Sequence, residues 1–250
     1  MVWTLIRRGL VVGVAAGLLA GVFAFVFGEP RVQDAIDVEQ ARAAHASLPF
    51  VPILAHVSDG VIGRPEQRGG LFLATALYGI AAGGLFALVF AAMRGRGSQR
   101  SDWQLATRLA AAIFVAIVLV PFIKYPANPP AVGNPDTIGA RTEYFVIMLV
   151  GSALAMWAAA RVVWSIGDGA PPWRRPLAGA GTFIAVAGGL ALALPAVNEL
   201  PKDFPATLLW EFRLSSLGTQ AVLWAAIGIG YGIVSQRAAT AATGARTAPA

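Results

Sequence analysis

The stretch Gly9-Leu-Val-Val-Gly13-Val-Ala-Ala-Gly17-Leu-Leu-Ala-Gly21-Val-Phe-Ala-Phe-Val-Phe27 contains no charge, no amide and no hydroxyl. A helix rises 1.5 Å per residue, so about 20 such residues cross the roughly 30 Å hydrocarbon core of a bilayer. The four glycines recur every fourth residue and form one slowly drifting stripe, a groove that lets another helix backbone approach closely. The segment therefore reads as a membrane-spanning helix, with packing on a neighbour in the same chain favoured over docking of another subunit. Arg7 and Arg8 stand ahead of it like the n-region of a signal peptide. The apolar run exceeds the usual length of about 7–15 residues and no Ala-x-Ala site follows, so the helix is expected to be retained.

Uncharged runs also cover 69–93, 177–198 and 214–236, and two shorter ones cover 109–123 and 144–160. The shorter runs reach spanning length if Arg108, Lys124 and Arg161 extend to the headgroups. Trp103, Tyr125, Tyr144, Trp164 and Trp173 lie near the span ends, where amphipathic rings prefer to sit. The expected fold is all-α: a polytopic membrane helix bundle with six transmembrane helices, at about 6–27, 69–93, 105–124, 143–164, 177–198 and 213–236. The third span carries the weakest signal. Residues 1–237 form a single integral membrane domain in this reading, and 238–250 a disordered tail. Gly79 with Gly83, and Gly228 with Gly232, add further small-residue faces to the stripe of Gly9, Gly13, Gly17 and Gly21.

Composition agrees. The 250 residues are 57% hydrophobic and 13% charged, with no cysteine; soluble domains carry about 25% charged residues. A mean hydropathy of +0.66 points the same way. The net charge of +6 is not a nucleic-acid signal, because its arginines are scattered singly or in pairs between apolar runs. Sorted by side, with the N-terminus inside, segments 1–8, 94–108, 161–176 and 237–250 hold eleven Lys/Arg against two acids; segments 28–68, 124–143 and 199–213 hold eight against eleven. Lys and Arg favour cytoplasmic loops, so both termini are expected inside.

The three outer segments are rich in Pro, Asn, acids and aromatics. In the first, Gly28-Glu29-Pro30 opens an expected helix, with Pro30 in its first turn and Glu29 near its positive end. Asp34, Asp37, Ala41 and His45 fall on one face of it, and Glu39 lies on the same helix. Carboxylates with one imidazole suit divalent Mn, Co, Ni or Zn, although a solvated face of an interfacial helix explains the same pattern. His56 reads as an ordinary loop histidine. The second segment, from Pro121 through Lys124, Tyr125, Asn128 and Asp136 to Arg141, Glu143 and Tyr144, has five prolines in fifteen residues and must follow a rigid path. Asp136 or Thr137 is the expected cap of the fourth span. The third, with Asn198, Glu199, Glu211 and Arg213, resembles the second. Arg141 with Glu143 and Arg213 with Glu211 look like matched pairs, as if spans three–four and five–six were a duplicated hairpin. Such pairs serve equally as interhelical salt bridges or as a pore mouth. Candidate metal ligands are thus Glu29, Asp34, Asp37, Glu39, His45, Asp136 and Glu199. Lys124, Tyr125, Asn128, Arg141, Glu143, Asn198, Glu211 and Arg213 are candidate pore-mouth or structural polar groups.

No Lys, Arg, Asp, Glu or His falls in the middle of a span, which argues against a self-contained pump. There is no phosphate-binding Gly-Lys-Ser/Thr loop, no His-Glu-x-x-His and no Gly-x-Ser-x-Gly, so an enzyme is not expected.

At the outer segments the chain resembles the CbtA family of cobalt transporter subunits. The resemblance is carried by Gly28-Glu29-Pro30 with Ala35, Ile36 and Glu39; by the Lys124–Gly133 run Lys-Tyr-Pro-Ala-Asn-Pro-Pro-Ala-Val-Gly; and by Asn-Glu-Leu-Pro and Phe-Pro-Ala-Thr-Leu-Leu-Trp-Glu-Phe-Arg within 195–220. It covers about residues 5–236. Membership implies cobalt uptake in the plasma (inner) membrane beside a small single-span partner, CbtB, that bears a histidine-rich metal motif. It also implies cobalt as the transported substrate, with no permanently bound cofactor and with membrane lipid as the surroundings. The family is usually described with five spans, against six here. The leading expectation is the membrane subunit of a cobalt importer whose extracytoplasmic loops form the ion entry vestibule; the alternative is a non-transporting membrane scaffold that docks a partner subunit.

Overall fold

In the computed structural model, which describes residues 2–46, 64–95, 101–130, 132–133, 135–167, 169–201 and 203–247, no strand occurs among the described residues. The helices are α1 (Val2–Phe23), α2 (Glu29–Ala46), α3 (Arg64–Met93), α4 (Asp102–Ile113), α5 (Val120–Lys124), α6 (Ile138–Ser165), α7 (Arg174–Ala193) and α8 (Ala206–Thr247). Among the described residues, six helical segments are long and apolar enough to cross a membrane: Val2–Arg42, Arg68–Met93, Asp102–Lys124, Ile138–Ser165, Arg174–Ala193 and Ala206–Ala241. Two of them are composite. A π-helical turn over Ala24–Gly28 joins α1 to α2, and another over Phe114–Leu119 joins α4 to α5.

Both π turns have the same cause. The residue after each donates its N–H five residues back, Glu29 to Ala24 and Val120 to Val115. The next residue is proline, Pro30 or Pro121, which has no N–H to give and whose ring crowds the preceding turn. Widening that turn lets the helix pass the proline instead of breaking. Glu29 was expected at the positive end of a fresh helix; it lies instead inside a continuous one, without free N–H groups around it. In the second case Pro121 leaves the Ala116 carbonyl without its donor, and the buried Ser152 hydroxyl on α6 donates to that carbonyl at 2.5 Å. A polar group freed at membrane depth is thereby satisfied within the protein.

Span boundaries shift for similar reasons. The fifth was expected to reach 198, but α7 stops at Ala193 and Leu194 is extended (φ −78°, ψ 144°). Pro195 disfavours a helical residue before it. The sixth helix continues to Thr247, through most of the expected disordered tail; its Ala238, Ala239, Ala241 and Ala242 are strong helix formers.

The chain divides into two compact units. The first comprises Met1–Ala111, Pro129–Ala131 and Pro205–Ala250. In it α1 and α3 run antiparallel with their glycines face to face. A Cβ on Gly79 would stand 2.8 Å from the Gly17 Cα, one on Gly83 2.8 Å from the Gly13 Cα, and one on Gly17 3.0 Å from the Ala76 Cα. Backbone meets backbone at Gly9, Gly13 and Gly17, where only hydrogen fits between, while Gly21 faces the side chains of Thr75 and Phe72. Gly228 and Gly232 of α8 instead make room for side chains of α4, the Ala110 methyl and the Trp103 ring. At one end Tyr231 packs edge-on to Phe86 and Phe90, at 5.2 and 4.9 Å between centroids, and its hydroxyl donates to the Leu5 carbonyl at 3.2 Å.

The second unit comprises Ala112–Asn128 and Val132–Phe204. Its core is a seam of small side chains on α6, Ser152, Ala155 and Ala159, with Met148 above them. Leu190 of α7 fills the space that Gly151 leaves open.

Candidate functional site

In each unit, ion pairs and hydrogen bonds tie together the Pro-rich and acidic segments. In the first unit α2 presents Arg31, whose guanidinium reaches Asp34 one turn on (3.3 Å) and Glu211 of α8 (3.1 Å). Glu29, with only 14% of its side chain exposed, accepts from the Arg68 Nε of α3 at 2.8 Å. Gln33 donates to Asp37 at 2.8 Å, and Glu39 is exposed. The proposed acidic face of α2 is therefore real as a helix face, but cations of α2 and α3 already neutralise part of it. His45 lies on α2, its side chain outside the described ones, and His56 lies outside the described residues altogether.

In the second unit the two Pro-rich segments are laced together. The Lys124 ammonium donates to the Leu194 carbonyl at 2.9 Å, at the negative end of α7 where a cation is favoured. It was expected to reach the headgroups; a nearby helix C-terminus is the better partner. Tyr125 donates to the next carbonyl, Pro195, at 2.8 Å. Burial pushes the Tyr125 phenol above its ordinary value, with the neighbouring Tyr144 adding to the effect, so it remains a donor at neutral pH. At the far side of the loop, Thr137 and Arg141 both address Glu199, the hydroxyl on Oε1 at 2.5 Å and the guanidinium on Oε2 at 3.4 Å. Thr137 precedes α6 without a side-chain capping bond, because its hydroxyl is engaged with Glu199. Asn128, Asp136, Glu143 and Asn198 are exposed.

Of the residues read as matched Arg/Glu pairs, Arg141 meets Glu199 and Glu211 meets Arg31, both being links between elements distant in sequence. Gly133 went unnoticed in the sequence although it enables the first of these. Its φ is +122°, and a Cβ there would fall within 2.9 Å of the Arg141 Cζ, so the guanidinium lies across bare backbone on its way to Glu199. A glycine between prolines is the signal that pointed to it. Arg68 and Ser152 also escaped, since nothing in a linear pattern marks their partners. Among the described residues no three of His, Asp and Glu come together as a metal site.

The fold defines a multi-pass helical membrane protein, with polar, proline-rich segments beside its apolar helices. The chain belongs to the CbtA family, described as a probable cobalt transporter subunit, whose family model matches residues 2–236. No curated protein and no solved structure matches it.

Proposed function

We propose that this chain is the membrane subunit of a cobalt importer in the plasma membrane, with its acidic and Pro-rich segments outside as the ion's entry vestibule. The observation that carries the reading beyond the family is the lacing of the second unit's rim: Lys124, Tyr125, Thr137 and Arg141 hold two Pro-rich segments in one fixed arrangement. A rim stiffened in this way suits a passage with a set shape. Carboxylates at Glu29, Asp34, Asp37, Glu39, Asp136 and Glu199 lower the potential there without assembling a chelating cluster, so a divalent ion is drawn in with its water shell and released easily. A histidine-bearing single-span subunit of the CbtB kind then supplies imidazoles beyond the two, His45 and His56, of this chain.

The test is flux in proteoliposomes loaded with a cobalt-sensitive dye, with Ni, Zn and Mg as competitors, with and without the partner. Cobalt entry that Mg does not suppress supports the reading. Partner binding with no flux of any ion makes the chain a scaffold instead.

A further inference from the structure

One face of α6 is exposed along its length: Ile147, Val150, Leu154, Trp157, Arg161 and Trp164, spaced three, four, three, four and three residues apart. That spacing keeps them on a single stripe of the helix. The stripe is apolar until its last turns, where Arg161 stands between Trp157 (63% exposed) and Trp164 (46%). The hairpin to α7 then presents Trp173, 62% exposed, and the exposed Arg174.

Neither the Arg161 nor the Arg174 guanidinium has a hydrogen bond or ion pair among the described residues. Arg175, by contrast, is engaged: its Nε and Nη2 both donate to the Ile166 carbonyl, at 3.2 and 2.7 Å. Backbone bonds from Ala170 to Gly167 and from Arg174 to Pro171 complete the turn. The hairpin is thus braced from within, and two guanidiniums are left on its surface. Segment 161–176 carries Arg161, Arg174 and Arg175 against the single acid Asp168.

A guanidinium on a lipid-facing stripe needs planar oxygen acceptors at headgroup depth, and phosphodiesters supply them. Tryptophan rings favour that same depth. We propose that this hairpin is a binding site for an anionic phospholipid, with the phosphate between Arg161 and Arg174 and the acyl chains along the Leu154–Trp157 stripe. The net positive charge of the hairpin selects an anionic headgroup over a zwitterionic one, whose ammonium would meet two unpaired cations. The proposal does not depend on which ion the protein moves.

The test uses the detergent-purified full chain, titrated with dioleoylphosphatidylglycerol or dioleoylphosphatidylcholine, with bound lipid counted by native mass spectrometry. Phosphatidylglycerol should be retained in preference, and its affinity should fall about fivefold for each arginine neutralised in R161Q/R174Q. R161K/R174K should keep most of the preference, and R237Q, on α8 and not part of the hairpin, should match the wild type. If the double variant does not insert, R161Q and R174Q singly carry the same expectation. Equal retention of the two lipids, unchanged binding in the glutamine variants, or complete displacement by millimolar inorganic phosphate would each overturn the proposal, the last by showing a plain anion site.

Discussion

Replacing Gly13 by alanine adds one methyl group at the closest point between α1 and α3. That methyl would stand 2.9 Å from the Gly79 carbonyl carbon and nearer still to its oxygen, where ordinary contact is 3.4–4 Å. The obstacle is helix backbone, which no rotamer change can move aside. The helices must part by about 1 Å, and a gap of that size forfeits a quarter to a half of the dispersion energy of each contact it opens. Overpacking of this kind costs about 1–3 kcal/mol, which for a chain of this size lowers the melting temperature by roughly 3–10 °C. Because the contact is reciprocal, G79A should cost the same, and G13A/G79A together less than their sum, since the helices have already separated. G181A is the control: the same substitution in α7, where a Cβ meets nothing within 4 Å, should be neutral or stabilising by under about 1 kcal/mol. Thermal unfolding of the purified variants in one detergent reads all four. A G13A melting temperature equal to that of the wild type, or equal to that of G181A, would refute the close-packing argument.

Further outcomes follow from the two polar networks. S152A should destabilise by about 0.6–2 kcal/mol by orphaning the Ala116 carbonyl, and P121A, which restores a backbone N–H, should recover much of that loss in the double variant. G133A should disturb Arg141 and Glu199 together; protease sensitivity of the 124–137 segment should rise in G133A, R141A and E199A alike, and combining R141A with E199A should add little. If the vestibule reading holds, cobalt uptake by intact cells should fall severalfold in D136A, E29A or E199A that still reach the membrane, with E199Q separating charge from loop support. Tyr125 gives a pH test. Its raised phenol value means that the folded state holds the proton more tightly, so the bond to Pro195 contributes fully below about pH 10 and is lost as pH climbs through the folded value. Wild type and Y125F should differ by a constant melting offset from pH 6 to 9 and converge only above pH 10.

The sequence by itself determined the class of fold. Apolar runs of spanning length, the asymmetry of arginines and the four-residue glycine rhythm are local properties, readable because a bilayer demands the same length and polarity of every helix. The proline-stiffened segments around Lys124–Gly133 and Asn198–Glu199 were visible for the same reason, since proline acts on its own neighbourhood.

What only the tertiary structure decided is who meets whom. A glycine stripe announces a close neighbour, but α3 as that neighbour, in antiparallel register with Gly79 and Gly83, is a matter of packing. Pro30 looked like the start of a new helix until a π turn carried the backbone past it, and a second π turn carries the third span past Pro121. Arg141 had a carboxylate two residues away and reached instead for Glu199, and Lys124 found a helix end seventy residues on. The physical reason is common to all of these. Membrane helices are nearly interchangeable in apolarity, so partners are selected by shape and by the few polar groups left unsatisfied, and both depend on where distant segments lie in space.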